Sequence, residues 1–265
     1  MAKLYIVGTP IGNLGDITKR AEEVLRAADV IACEDTRHSR PLLSHIGAKG
    51  TLVAYHKFNE AECARKLADF VNEGKNVALI TDAGMPSVSD PGAEVVALCR
   101  KEGIDVESVP GPSAVTTAIA LCGVKGTGFV FLGFLPEKAS QRKDAVTRAA
   151  RAGLPMVIYV APHDVRRTAA ELGELLGDRK VYAVREMTKL HESVTDSTLK
   201  NFECEERGEI VLVIEAEEEE NPFVNMTPEE HLKVYLDGGM DKKEAVKRVA
   251  AERGVPKNEI YRLTL

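Results

Sequence analysis

Over the first 122 residues, five short apolar runs alternate with five amphipathic stretches, and this alternation constrains the fold more than any other feature. The runs lie near residues 4–7, 29–33, 51–55, 77–80 and 105–109, and the stretches near 18–28, 36–46, 59–73, 91–102 and 112–122. Strands separated by helix-length connections pair in parallel, and a parallel sheet has to be covered on both faces. The sequence therefore predicts an α/β domain over 1–122 with a parallel sheet. Gly123-Val-Lys-Gly-Thr-Gly128, with three glycines in six residues, reads as a hinge. A second α/β domain is expected over 123–216, with strands near 129–134, 155–160, 180–185, 192–199 and 209–215 and helices near 138–151 and 163–176. Its last two strands have no helix between them, which predicts antiparallel pairing and a mixed sheet.

At 265 residues the chain is long enough for two or three small domains, and with no Trp and 5% aromatics its cores must be aliphatic. No apolar run approaches the roughly 20 residues that span a bilayer, and the start lacks a signal pattern, so no membrane partner is expected. Cys33, Cys63, Cys99, Cys122 and Cys204 are odd in number, widely spaced and form no C-x-x-C. That pattern implies reduced thiols and a cytoplasmic location. The net charge is −6, but residues 201–221 hold nine Glu and one Arg, a charge of −8, which leaves +2 for the rest. Glu217–Glu220 reads as a solvated acidic linker. Basic residues gather around Arg37, His38 and Arg40, around Lys138 to Arg151, and at Lys242, Lys243, Lys247 and Arg248, and such clusters can hold phosphates. For 138–151 taken alone, the exposed face of a helix is the plainer reading.

Residues 217–265 are expected to form the acidic linker and a small helical C-terminal module. Thr227-Pro-Glu-Glu230 has the pattern of a capping box, Asp241 is placed to cap a second helix carrying Ala245, Val249 and Ala250, and Glu259 starts a third. Helix, glycine-containing turn and helix with outward Lys and Arg fits a helix-turn-helix unit that binds nucleic acid; it equally fits a helical cap that packs on the body or on a second subunit.

Three glycine- and proline-rich loops follow predicted strands: Gly8 to Thr18, Asp82-Ala-Gly-Met-Pro-Ser-Val-Ser-Asp-Pro-Gly92, and Val109-Pro-Gly-Pro-Ser-Ala114. In an open α/β sheet such loops border the ligand crevice, so the three are expected to share one cleft. Asp90, before Pro-Gly, is read as the N-cap of a helix starting near Pro91. None of the loops matches a dinucleotide fingerprint or a phosphate loop. The six His are dispersed without H-E-x-x-H, so no metal site is expected, and no G-x-S-x-G elbow is present. A charged cluster, Glu34-Asp-Thr-Arg-His38, ends the second predicted strand, and His56, Lys57 and Asn59 follow the third. Asp35 as a helix N-cap with Arg37 as its ion-pair partner is the purely local reading of that cluster.

Thr9-Pro-Ile-Gly-Asn-Leu-Gly-Asp-Ile-Thr18, Glu34-Asp-Thr-Arg37, Asp82 to Pro86 with Ser89-Asp-Pro-Gly92, and Pro110-Gly-Pro-Ser113 together resemble the signature of the tetrapyrrole methylase superfamily. Phe131-Leu-Gly-Phe-Leu-Pro136, Arg185-Glu-Met-Thr-Lys189 and Gly208-Glu-Ile-Val-Leu-Val213 extend the resemblance over about the first 215 residues. Within the superfamily the chain is most similar to the branch that methylates small-subunit ribosomal RNA. The resemblance implies a two-domain tetrapyrrole-methylase-like fold with a parallel-sheet first domain and a mixed-sheet second domain. It implies S-adenosylmethionine as cofactor, a cytidine ribose 2′-hydroxyl in the decoding region of small-subunit rRNA as acceptor, the small ribosomal subunit as partner, and a homodimer. It carries cofactor contacts onto Pro10, Asp82, Ala83, Gly84, Ser113 and Ala114, and more loosely onto Val88 and Ala183.

For methyl transfer to a hydroxyl the protein must position the acceptor and assist loss of its proton. Arg37 is the candidate to grip a phosphate, and Glu34 or Asp35 to orient the hydroxyl or accept its proton. Arg185, Glu186 and Lys189 are expected on resemblance to close over the acceptor. Two departures stand out: Met85 replaces the family's usual Thr, and Val160-Ala-Pro-His-Asp164 replaces Glu-Ser-Pro-His-Arg. The rival readings are methylation of a corrinoid or porphyrinoid precursor, and a binding protein that kept the cleft and lost catalysis.

Overall fold

A computed structural model of the chain describes residues 1–126, 128–217, 223 and 226–263. It divides into two compact units, Met1–Glu217 and Glu218–Leu265. The predicted hinge at Gly123–Gly128 includes one residue outside the described ones, and most of the predicted acidic linker lies outside them too.

In the first unit, β1 (Leu4–Val7), β2 (Val30–Cys33), β3 (Thr51–Ala54), β4 (Val77–Leu79) and β5 (Val106–Val109) form a parallel sheet in the order β3-β2-β4-β1-β5. Each strand feeds a helix: α1 (Lys19–Ala27), α2 (Thr36–Ile46), α3 (Glu60–Asn72), α4 (Ala93–Lys101) and α5 (Ala114–Cys122). Strands β2 and β4 are buried at every position, which is why they read as unbroken apolar runs. Side chains alternate across the sheet. Val30 and Ala32 join Leu67, Val71 and Val95 of α3 and α4, whereas Ile31 and Cys33 join Leu25, Leu43 and Ile46 of α1 and α2.

The second sheet holds β6 (Val130–Phe134), β7 (Met156–Val160), β8 (Lys180–Arg185), β9 (Ser193–Thr198) and β10 (Ile210–Ile214) in the order β6-β7-β10-β8-β9. Only the β6–β7 pair is parallel. The expected antiparallel ending is present, but β9 and β10 do not pair with each other; they flank β8. Helices α6 (Ala139–Ala150) and α7 (Val165–Leu176) cover one face. The other face receives α5, whose Val115 and Ala118 pack with Val157, Val184, Val211 and Ile11. This helix, apolar except for Thr116 and Thr117, joins the two sheets in one body.

The second unit contains α8 (Pro228–Asp237), α9 (Lys242–Arg253) and α10 (Lys257–Arg262), which starts two residues before the predicted Glu259. The capping box is formed: the Glu230 amide donates to Thr227 Oγ1 at 3.2 Å, and the Thr227 amide donates to Glu230 Oε2 at 2.8 Å. Asp241 caps α9 through the Lys243 amide. Leu232, Ala245, Val246, Val249, Ala250 and Ile260 form its core. No described helix is long and apolar enough to cross a membrane.

Candidate functional site

The loops after β1, β4 and β5 are built into one another at the carboxyl edge of the first sheet. Thr9 and Gly84 exchange backbone hydrogen bonds of 2.9 and 3.1 Å, and the Thr9 hydroxyl donates to the Thr81 carbonyl at 3.1 Å. Gly84 adopts φ +81°, a conformation that disfavours a side chain. The β1 and β5 loops touch main chain to main chain, because a Cβ on Gly8 would lie 2.7 Å from Gly111 Cα and from Met85 Sδ. The three loops therefore form one rim, joined by hydrogen bonds and close main-chain packing.

This rim and the cleft face of the second sheet enclose a cavity of about 370 Å³. Of the residues expected at the cofactor, Asp82, Ala83, Gly84, Val88, Ser113 and Ala114 line it. Pro10 does not; its neighbour Ile11 forms that part of the wall. Ala183 is 1% exposed and packs with Ile158 and Leu212 on the helix-covered face of the second sheet, away from the cavity. Sequence reasoning missed Asp90, Phe134, Tyr159, Met187 and Glu209, all in the wall. The Ser89–Gly92, Phe131–Pro136, Arg185–Lys189 and Gly208–Val213 motifs carried the signal for four of them; Tyr159 lies in none. Both departures also reach this wall, through Met85 and through Val160, Ala161 and Pro162.

Carboxylates gather beside the cavity. Asp90 is not the helix cap expected of it. The N-cap of α4 is Gly92, whose amide donates to Glu60 Oε1 at 2.8 Å, and the Tyr55 hydroxyl donates to the same oxygen at 3.2 Å. Freed from that role, Asp90 faces the cavity. Burial, followed by the charges of Glu34 and Asp82, pushes its carboxyl up to about 6. Burial and the charge of Asp82 raise Glu34 as well, against the pull of His56. Asp82 links the two loops, its Oδ1 accepting from the Asp35 amide at 3.4 Å.

The local roles of Asp35 and Arg37 are both formed. Asp35 Oδ1 accepts from the Arg37 amide at 2.8 Å, capping α2, and the Arg37 guanidinium holds both carboxylate oxygens at 3.1 and 2.8 Å. That grip holds the Asp35 carboxyl at about 2. The Arg37 side chain is 88% exposed. His56 and Asn59 brace their own loop, Asn59 Oδ1 accepting from the His56 amide at 2.8 Å.

Four non-glycine residues adopt positive φ among the described residues: Ser87, Ser89, Glu186 and Thr188. They lie in two loops, one on each side of the cavity, as strained backbone at a ligand site does. Glu186 Oε1 accepts from Lys189 Nζ at 3.0 Å and from the Glu209 amide at 2.8 Å, and Lys189 reaches Glu209 Oε2 at 3.1 Å. Arg185 pairs with Glu205 at 2.8 Å. These three expected acceptor residues thus stiffen the second sheet's loop in the structure described.

A family model described as Tetrapyrrole (Corrin/Porphyrin) Methylases matches residues 3–203. The chain is 40% identical to ribosomal RNA small subunit methyltransferase I of Halalkalibacterium halodurans, covering 98% of this chain and 93% of that one. It is 37% identical to the Bacillus subtilis protein of the same name, with the same coverage. Among solved structures, diphthine synthase superposes with a TM-score of 0.67 at 17% identity, covering 81% of this chain and 90% of that one, a likeness of fold.

Proposed function

We propose, from the premise that the chain belongs to the ribosomal RNA small subunit methyltransferase I family of the tetrapyrrole methylases, that it methylates a cytidine ribose 2′-oxygen in the decoding region of small-subunit rRNA, using S-adenosylmethionine. The observation that carries the reading is the cavity at the carboxyl edge of the first sheet, apolar in most of its wall with Asp82 and Asp90 set into it. A cavity of this size with few convergent polar groups suits a small cofactor. When bound, the cofactor supplies an electrophilic methyl group on a positively charged sulfur.

Asp82 is placed to accept hydrogen bonds from the cofactor's amino or hydroxyl groups and to face its positive charge. Ala83, Gly84, Ser113 and Ala114 offer backbone at the rim, and Ile11, Met85 and Met187 supply apolar contact. The acceptor hydroxyl must also lose its proton. Asp35, held near 2, is a weak base. Glu34 and Asp90, both raised, are better proton acceptors, and Asp90 is already in the cavity wall. Arg37 projects into solvent beside them, where its guanidinium can turn from Asp35 to a backbone phosphate.

The test is labelled S-adenosylmethionine incubated with small ribosomal subunits, followed by digestion and mass spectrometry of the nucleosides. Label in 2′-O-methylcytidine is expected. Label on a base would overturn the ribose assignment, and no transfer would overturn the function. We propose a homodimer with it; light scattering at a single-chain mass across a wide concentration range would exclude that.

A further inference from the structure

Strand β6 contains a bulge that changes where Phe134 points. Phe131 lies opposite Val157, Gly133 opposite Ile158 and Phe134 opposite Tyr159, so Leu132 is the extra residue. Without it, residues three apart would point to opposite faces, and Phe134 would follow Leu132 onto the face covered by α6 and α7. With it, Phe131 and Phe134 stand on the same face, both edge-on to Tyr159 at 5.0 and 5.5 Å. Bulges are rare in parallel pairs, and they re-aim side chains near active sites. Gly133 permits this one: its φ is +61°, and a Cβ there would lie 2.6 Å from Ser89 Oγ in the strained loop of the first sheet.

Apart from Tyr159, at the margin of the core, the re-aimed ring is left largely in solvent. Phe134 is 66% exposed, and leaving a large aromatic in water forfeits the free energy of burying it. It stands where two cavities meet. One is the proposed cofactor cavity; the other, about 330 Å³, is bordered by Arg142, paired with Glu171, and by Arg167, paired with Asp164, and Phe134, Tyr159, Val160 and Ala161 belong to both. Methyl transfer needs a donor site and an acceptor site that abut, and these two share a wall.

We propose that Phe134 is the stacking platform for the base of the acceptor nucleotide, drawn out of the RNA and laid on the exposed ring. The inference rests on the RNA-methylating reading above. Single-stranded RNA bases are held in this way on exposed aromatic rings, with the ribose left free for contact beside them. Phe134 is a substrate-binding residue in this scheme, and Tyr159 fixes the angle of its ring.

The chain has no Trp, so Phe134→Trp places a single reporter at the site. Kinetics, cofactor calorimetry and fluorescence test it, with light scattering and sedimentation as controls. Phe134→Ala should raise KM for small ribosomal subunits on the order of tenfold or more, with S-adenosylmethionine affinity by calorimetry unchanged. Phe134→Trp should stay near wild-type KM. Its emission should be quenched by small-subunit RNA in the absence of cofactor, as a stacked indole is. An unchanged KM in Phe134→Ala would overturn the proposal, as would weakened cofactor affinity, which would assign the ring to the cofactor. A change of mass in light scattering would assign it to a subunit contact and overturn it too. If the wild type binds the particle but transfers no methyl group, the functional reading fails; if Phe134→Trp binds by sedimentation without quenching, the stacking proposal fails.

Discussion

Gly8 and Gly111 cross main chain to main chain: a Cβ on Gly8 would meet Gly111 Cα at 2.7 Å, and one on Gly111 would meet Gly8 Cα at 2.9 Å. Neither contact is with a flexible side-chain end, so neither neighbour can yield without moving a loop. The β1 and β5 loops therefore hold the cavity rim at a spacing only two glycines allow.

Gly111→Ala should accordingly force the rim open. Overpacking of this kind costs about 1–3 kcal/mol, a fall in Tm of several degrees. Because Ser113 and Ala114 follow directly in the cavity wall, S-adenosylmethionine affinity should fall at least as steeply as stability does. Calorimetry and thermal unfolding on the same preparation would show it, and an unchanged variant would mean that the loops slide freely.

Strands and helices were legible in the sequence because hydrophobic periodicity is local, and β2 and β4 announce their burial by having no polar position. The meeting of the three loops was legible because open sheets gather them at one edge. Other features depend on partners far away in the chain. Asp90 looks like a cap beside Pro-Gly, but Glu60, thirty-two positions before Gly92, supplies the oxygen that takes the Gly92 amide. Ala183 and Val184 differ by one residue and therefore by one face; Val184 packs toward the cleft side and Ala183 toward the helices. The β6 bulge left no composition signal beyond one glycine in Phe131–Pro136.

Asp90 sets a pH dependence. Its carboxyl is raised in the fold from an ordinary 3.8 to about 6, so the folded protein binds that proton more tightly than the unfolded chain. The ionised form therefore destabilises the fold, fully above about 6, and the penalty fades as the pH falls toward 4. Asp90→Asn should raise Tm relative to wild type at pH 8, with the gap narrowing by pH 4.5. The same variant should lose methyl transfer if Asp90 takes the acceptor's proton. Paired melts at the two pH values settle the first point; an equal gap at both would remove the charge as its cause.

Arg37→Ala should separate turnover from cofactor binding. The guanidinium is exposed and tied to Asp35 alone among the described contacts, so its loss should leave Tm unchanged. The α2 cap uses the residue 37 amide, which alanine keeps. Misplacing an acceptor hydroxyl by ~1 Å can cost on the order of a hundredfold in rate. A drop of about that size on ribosomal particles, with cofactor affinity intact, is expected. Full activity would take Arg37 out of the site.

The C-terminal unit should serve the RNA and be dispensable for the cofactor. Its order comes from its own contacts: His231 is wholly buried, its Nε2 lies 3.0 Å from Glu252 Oε2, and its Nδ1 accepts from Arg253 Nε at 3.0 Å. Arg253 also donates to the Thr227 carbonyl at 3.0 Å. Accepting at Nδ1 requires a neutral ring that donates through Nε2, in keeping with burial, and then the charge of Arg253, lowering the His231 pKa. Truncation after Glu220 removes this network together with Lys242, Lys243, Lys247 and Arg248, and leaves every residue of the cavity wall in place. The shortened protein should bind S-adenosylmethionine like wild type and lose most activity on small ribosomal subunits. Arg253→Ala in the full chain should give a milder version of the same split, with limited proteolysis cutting first within 226–263. If truncation abolishes cofactor binding as well, the unit is a structural cap and its basic helix α9 does not act through RNA.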